Sequence, residues 1–249
     1  MRALEFVVSA DFGMFRRPDR QDPALTFNFI PKSAVLGICG AILGLEGYKH
    51  GKKRPEFLSS LQHFKVAITP LLQKNTRSHP SPLRKTFVKF INFHGYGNVD
   101  GPWILTEQVL INPSYRLVVI SDSEDEYFTK LEKHLRNRTS VFRPYLGKNE
   151  FICNMDFLGT YEVEEYTETI CECESIYPPS GFVNTRGSSG IPYTFTMLEE
   201  YSYGLDQYHR HKIKRFCFRD GSIHRKEADL ELGAFLSLSG NSTKTVFAF

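Results

Sequence analysis

Residues 73–102 bring cations and flat rings together in one stretch. Lys74, Arg77, Arg84, Lys85 and Lys89 stand against a single acid, Asp100, with Phe87, Phe90, Phe93 and Tyr96 interleaved among them. Cations neutralise phosphates and aromatic rings stack on bases, so this pairing is the chemistry of nucleic-acid contact. The stretch follows no regular pattern. A loop of that length is either functional or a solvated hairpin whose rings pack back on the core. The coincidence of charge and rings favours function. Lys74, Asn75, Arg77, Arg84, Lys85 and Phe87 are its candidate contacts.

Three other places carry positive charge. Arg16 and Arg17 follow the first strand. Lys32 and Ser33 open an apolar helix whose free N–H groups suit a phosphate, with Ser33 as a plausible N-cap. Arg143 and Tyr145 stand in a short basic loop. Between His209 and Lys226, seven Lys or Arg face only Asp220, and a solvated face explains that run as well as RNA contact does. Tyr161–Glu174 is the opposite pole, with six Glu and no Lys or Arg. It reads as solvated surface, or as a docking face for a basic partner.

Catalytic patterns are thin. The chain has no G-x-S-x-G, no phosphate-cradling P-loop and no H-E-x-x-H. A metal-independent ribonuclease needs only a base, an acid and a cation at one phosphate. His50, His79, His94, Tyr48 and Lys85 could supply such a set. Eight histidines make chance clusters common, so no catalytic residue is assigned. Five cysteines, at 39, 153, 171, 173 and 217, are an odd number without C-x-x-C spacing. That argues against a disulfide framework and against zinc, and no metal or cofactor is expected.

Ordinary elements must position these groups. At 41% hydrophobic and 24% charged, the 249-residue chain has the composition of a soluble globular protein. The net charge is only +3, so the uneven distribution of charge matters more than the total. The longest apolar run, Ala34–Leu45, is too short to span a bilayer, and no signal peptide is visible; a cytoplasmic protein is expected. Ala3–Ala10 reads as a strand, and 32–45 as a helix apolar on all faces, hence buried on both sides. Gly37, Gly40 and Gly44 within it would let another backbone come close. A short helix over Pro55–His63 and a strand over Phe64–Leu72 follow. Ile104–Ile111 and Tyr115–Ser121 read as a strand pair turning at Asn112-Pro113. Glu124–Arg136 reads as an amphipathic helix capped by Ser123 and stopped by Asn137, and Phe151–Tyr161 as a fourth strand.

The order strand, helix, strand, strand, helix, strand predicts an α+β, ferredoxin-like (RRM-like) βαββαβ domain over 1–161. The insertion 73–102 falls between its second and third strands. Residues 162–249 form a smaller, mainly β C-terminal extension, with a small antiparallel sheet in Tyr193–Phe218 and a closing strand in Ala228–Phe249.

The block Phe12–Arg17 followed by Phe29–Leu45 resembles the CRISPR-associated Cas-five family, in its type I-B-like branch. Asn112-Pro-Ser-Tyr-Arg116, the following helix, Arg143-Pro-Tyr-Leu-Gly147 and Asp156-Phe-Leu-Gly159 continue the likeness through residues 3–160. The approach to the helix, Asn-Phe-Ile-Pro, is less proline-rich than in the family. The resemblance implies a non-catalytic subunit of a Cascade surveillance complex in antiviral defence. Such a subunit holds the 5′ handle of the guide RNA (crRNA) and contacts the backbone subunit and the large subunit. It meets target DNA near the protospacer-adjacent motif only indirectly. Residues 73–102 would be its thumb. Arg16, Arg17, Lys32 and Ser33 would grip handle phosphates, and Arg143 and Tyr145 would close the site. One related branch cleaves precursor guide RNA, which keeps a metal-independent endoribonuclease as the alternative.

Overall fold

A computed structural model describes residues 1–19, 22–49, 54–72, 83–92, 103–168, 170–179, 196–219, 222–224, 232–240 and 243–249. The strands are β1 (Arg2–Ser9), β2 (Phe12–Gly13), β3 (Lys65–Pro70), β4 (Lys85–Asn92), β5 (Trp103–Ile111), β6 (Ser114–Ser121), β7 (Asn154–Glu165), β8 (Ile170–Glu172), β9 (Thr196–Leu205), β10 (His211–Arg219), β11 (Ser222–His224), β12 (Ala234–Ser239) and β13 (Lys244–Ala248). The helices are α1 (Lys32–Leu43), α2 (Glu56–Ser60) and α3 (Glu126–Arg136). Among the described residues no helix is long and apolar enough to cross a membrane.

Strand alternation explains the main sheet. On β1, Leu4, Phe6 and Val8 join the large core cluster with Val35 and Ile38 of α1 and Leu131 and Leu135 of α3. The residues between point the other way, where Ala3 packs with Val118, Ile120 and Leu238. The sheet runs β13-β12-β7-β1-β6-β3, and every pairing in it is antiparallel.

The ferredoxin-like α+β expectation is incorrect. Among the described residues the structure is mostly β, with thirteen strands against three helices, and its six-stranded sheet is nearly closed like a barrel. An open βαββαβ layer would end in two unpaired edges, each exposing N–H and C=O groups. Here β12 extends the sheet beyond β7, and β13 leads back to β3. Val66 donates its N–H to the Phe249 carbonyl at 3.0 Å and accepts from the Phe249 N–H at 3.2 Å. Residues 173–177 stitch the seam. Glu174 N–H reaches Thr245 O at 2.9 Å, and Ile176 N–H reaches Ile68 O at 2.8 Å.

Two local expectations also change. Part of 73–102 is regular, because β4 lies inside it and pairs with β5. β5 and β6 are consecutive but do not pair: β5 joins β2 and β4 in a separate three-stranded sheet. Asn112, at φ 48°, and Pro113 turn the chain out of one sheet and into the other. The cap of α3 is Asp125, not Ser123. Its carboxylate accepts from Tyr127 N–H at 2.9 Å and Phe128 N–H at 3.2 Å.

Candidate nucleic-acid interface

The approach to α1 is held by side chains from three strands. Lys85 on β4 donates to Thr26 O at 3.1 Å. Tyr115 on β6 donates to Asn28 O. Glu199 on β9 accepts from Asn28 N–H at 2.9 Å and Phe29 N–H at 3.2 Å, and Tyr201 donates to Ile30 O at 2.9 Å. Burial pushes the Glu199 carboxyl up, while the Asn28 and Phe29 N–H groups and Lys85 pull it down less strongly. The start of α1 is therefore fixed in place.

Three expected RNA contacts are spent on this framework. Lys85 is one of them. Arg17 forms a two-pronged ion pair with Asp19, at 3.0 Å through each prong, and lies over the Phe27 ring. Lys32 donates to the Phe249 carbonyl at 2.7 Å. Burial, and then Lys65, pull its ammonium down to about 8. Ser33 is not the N-cap. Pro31 occupies that position without a side-chain hydrogen bond, and Ser33 sits inside the first turn.

The other expected contacts are exposed. Arg16, Arg84 and Arg143 lie at the surface and have no ion-pair partner among the described residues. Phe87, Ile91 and Ile104 are each more than half exposed. They share one face of the β4–β5 ribbon, with Ile91 directly opposite Ile104. Lys74, Asn75 and Arg77 lie outside the described residues, as do His50, His79 and His94. Tyr48 lies against Phe57 and His209, whereas Lys85 is bonded to Thr26, so no described contact joins these two catalytic candidates. Among the described residues, no three His, Cys, Asp or Glu side chains gather where they could hold a metal.

Two cavities open on either side of Ser33. One, of about 360 Å3, runs along α1 and is lined by Gly37, Tyr48, Phe57, Phe142, Arg143 and Tyr145 among others. The other, of about 310 Å3, lies at the helix start and brings Lys32, Arg54, Gln62, Tyr203 and Lys212 together. Among the described residues, neither is lined by an acidic side chain. Arg54 and Lys212 are exposed and unpaired among the described residues, and neither was singled out from the sequence. Lys212 lies on β10, within the run that read equally well as a solvated face. Arg54 ends a basic link whose path no local pattern reveals. Together they offer unpaired cations, flat rings and a helix start, which suits single-stranded nucleic acid.

The chain belongs to the CRISPR-associated protein (Cas_Cas5) family, whose model matches residues 3–226. Its fold resembles that of a CRISPR protein from Archaeoglobus fulgidus, at 13% identity, 99% coverage of each chain and a TM-score of 0.50. It also resembles a chain of a CRISPR RNA-guided surveillance complex, at 10% identity over 91% of this chain and 92% of the other, with a TM-score of 0.50. A chain of a type III-B Cmr-beta complex bound to cognate target RNA and AMPPnP matches at 12% identity, 99% coverage of each chain and a TM-score of 0.50. At such identities the likeness is one of fold. No curated protein matches the chain.

Proposed function

We propose that this chain is an RNA-binding, non-catalytic subunit of a CRISPR effector complex, of the type I-B-like Cascade kind, that holds the 5′ handle of the guide RNA. The two cavities, one along α1 and one at its start, carry the reading. Among the described residues, Arg54, Arg143 and Lys212 stand there unpaired and no acidic side chain lines the space. Membership of a CRISPR-associated family supports it. So does a fold shared with a chain of an RNA-guided surveillance complex. The β4–β5 ribbon fits the thumb, its face of Phe87, Ile91 and Ile104 turned to the adjacent backbone subunit. The large subunit and, through it, target DNA are the remaining partners.

The assembled complex, purified with its neighbouring subunits, is expected to carry RNA. The purified chain is expected to leave the precursor of that RNA intact in EDTA. An RNA-free complex contradicts the binding role. Cleavage at a single position in EDTA contradicts the non-catalytic role and favours a metal-independent endoribonuclease.

A further inference from the structure

We propose that Lys148 is a positioning residue: its ion pair with Glu107 fixes the β4–β5 ribbon to the loop that carries Arg143 and Tyr145, and so couples the ribbon to the cavity along α1. This deepens the RNA-binding reading and rests on it.

The ribbon has two faces, because side chains alternate along each strand. Phe87, Ile91 and Ile104 occupy the outer one. Val88, Phe90, Glu107 and Val109 occupy the other, which turns to the body of the protein. There Val109 packs with Met14 and Ala24, and Val88 and Phe151 rest against them. This cluster is small and separate from the main core. Apolar contact of that extent holds a ribbon in place but leaves its angle weakly determined.

Lys148 supplies a directional tie. Its ammonium lies 2.6 Å from the Glu107 carboxylate on β5 and 4.3 Å from the centre of the Phe90 ring on β4. One side chain therefore touches both strands. Glu107 is only 8% exposed, so its charge depends on a close counter-ion. Glu150, 3.8 Å from the same ammonium, is exposed and more distant. The main chain ties the ribbon at the same level. Ala24 donates its N–H to Thr106 O at 2.9 Å and accepts from Gln108 N–H at 2.8 Å, on either side of Glu107.

The loop that bears Lys148 is braced along its length. Leu146 N–H reaches Phe151 O at 2.8 Å, Phe151 N–H reaches Lys148 O at 2.9 Å, and Cys153 N–H reaches Pro144 O at 3.1 Å. Met14 N–H reaches Leu146 O at 3.0 Å. Gly147 has φ 87°, and a Cβ there would stand 1.7 Å from Met14 O. Arg143, Tyr145 and Gly147 line the cavity along α1, and the next residue, Lys148, holds the ribbon. A loop so tied moves as a unit. RNA held at Arg143 and Tyr145 then biases the ribbon, and protein seated on the ribbon biases the loop, by equal factors in binding.

The test measures handle-RNA affinity of the chain with and without the neighbouring backbone subunit. The ratio of the two affinities is the coupling. In the wild type the neighbour is expected to raise RNA affinity about tenfold, and in Lys148→Met by about twofold or less. RNA affinity of the chain alone should change little. Lys148→Arg, which keeps a cation for Glu107 and for the Phe90 ring, should restore the ratio. Hydrogen exchange at the Ala24 and Gln108 amides should quicken about tenfold in Lys148→Met, with the amides of β1 and β6 unchanged. Should Lys148→Met fail to fold, Glu107→Gln removes the same pair and is expected to lower the ratio as well. A ratio unchanged in the variants, or absent from a wild type that binds RNA, overturns the positioning role alone. So does faster exchange across the whole sheet with the ratio retained, because the pair would then only stabilise the fold. A chain that binds no handle RNA, alone or with its neighbour, overturns the RNA-binding reading and the coupling together.

Discussion

At the scale of single residues, the strongest electrostatic commitment lies inside the curved sheet. Glu5 on β1 is only 1% exposed. It accepts from Lys244 at 2.9 Å to each oxygen, and from the Tyr161 hydroxyl at 2.7 Å. Arg116 stands 3.6 Å away and pairs with Glu174 at 2.6 Å. Burial works against the Lys244 ammonium, but the hydrogen bond and charge of Glu5 outweigh it and its pKa ends raised. Lys244→Met would leave a buried carboxylate without its main partner and is expected to cost about 3–5 kcal/mol, measured by urea unfolding. A raised lysine stabilises fully below its unfolded pKa of about 10.4 and loses that contribution as pH rises through the folded value. Wild-type stability should therefore fall in the alkaline range, and the variant should lose part of that fall. In the sequence Glu5 reads only as a polar position in a strand, because Lys244 is 239 residues away. The same limit applies to Arg17, Lys32 and Lys85. Their charge is legible locally. The carbonyls of Phe249 and Thr26 that claim Lys32 and Lys85 depend on the fold, whereas Asp19, only two residues from Arg17, stood in plain view and was passed over.

At the scale of elements, α1 shows what its glycines are for. A Cβ on Gly40 would come within 2.4 Å of the Phe57 Cβ on α2. Gly40→Ala should therefore destabilise by about 1–3 kcal/mol through overpacking, despite the better helix propensity of alanine. Gly37, one turn earlier, has room, and Gly37→Ala should stabilise by about 0.5–1 kcal/mol. Opposite shifts in thermal midpoint are the expected result, and equal shifts would contradict the packing described. The sequence reading expects another backbone close to these glycines; side chains approach instead, Phe57 at Gly37 and Gly40 and Val141 at Gly44. It did not show β4. There KTFVKFIN has no clean alternation of apolar and polar residues to mark a strand, and its charge dominates the stretch. Asp125 was passed over as the α3 cap because Ser123, two residues earlier, is an equally good candidate by type.

At the scale of the whole molecule, the strand and helix periodicities locate β1, α1, β3, β6, α3 and β7 within a few residues, yet the fold class drawn from them is wrong. Periodicity assigns elements one at a time, and closure of a sheet is a property of its edges. β12 and β13 are short and Ser- or Thr-containing, and their role follows from the unpaired edges of β7 and β3. The interface was half legible for the same reason. Arg143 and Tyr145 come from one loop and were read directly, whereas Arg54 and Lys212 meet at Ser33 only after the chain has folded. The central claim is that Arg54, Arg143 and Lys212, unpaired among the described residues and lining the two cavities beside α1, grip RNA phosphates. It is tested most directly by the salt dependence of handle-RNA binding, for the wild type and for a chain carrying Arg54→Ala, Arg143→Ala and Lys212→Ala. For single strands each phosphate contact contributes about 0.7 to the slope of log affinity against log salt. The variant is expected to bind more weakly with a slope shallower by about 2. Equal affinity and an unchanged slope would contradict the claim.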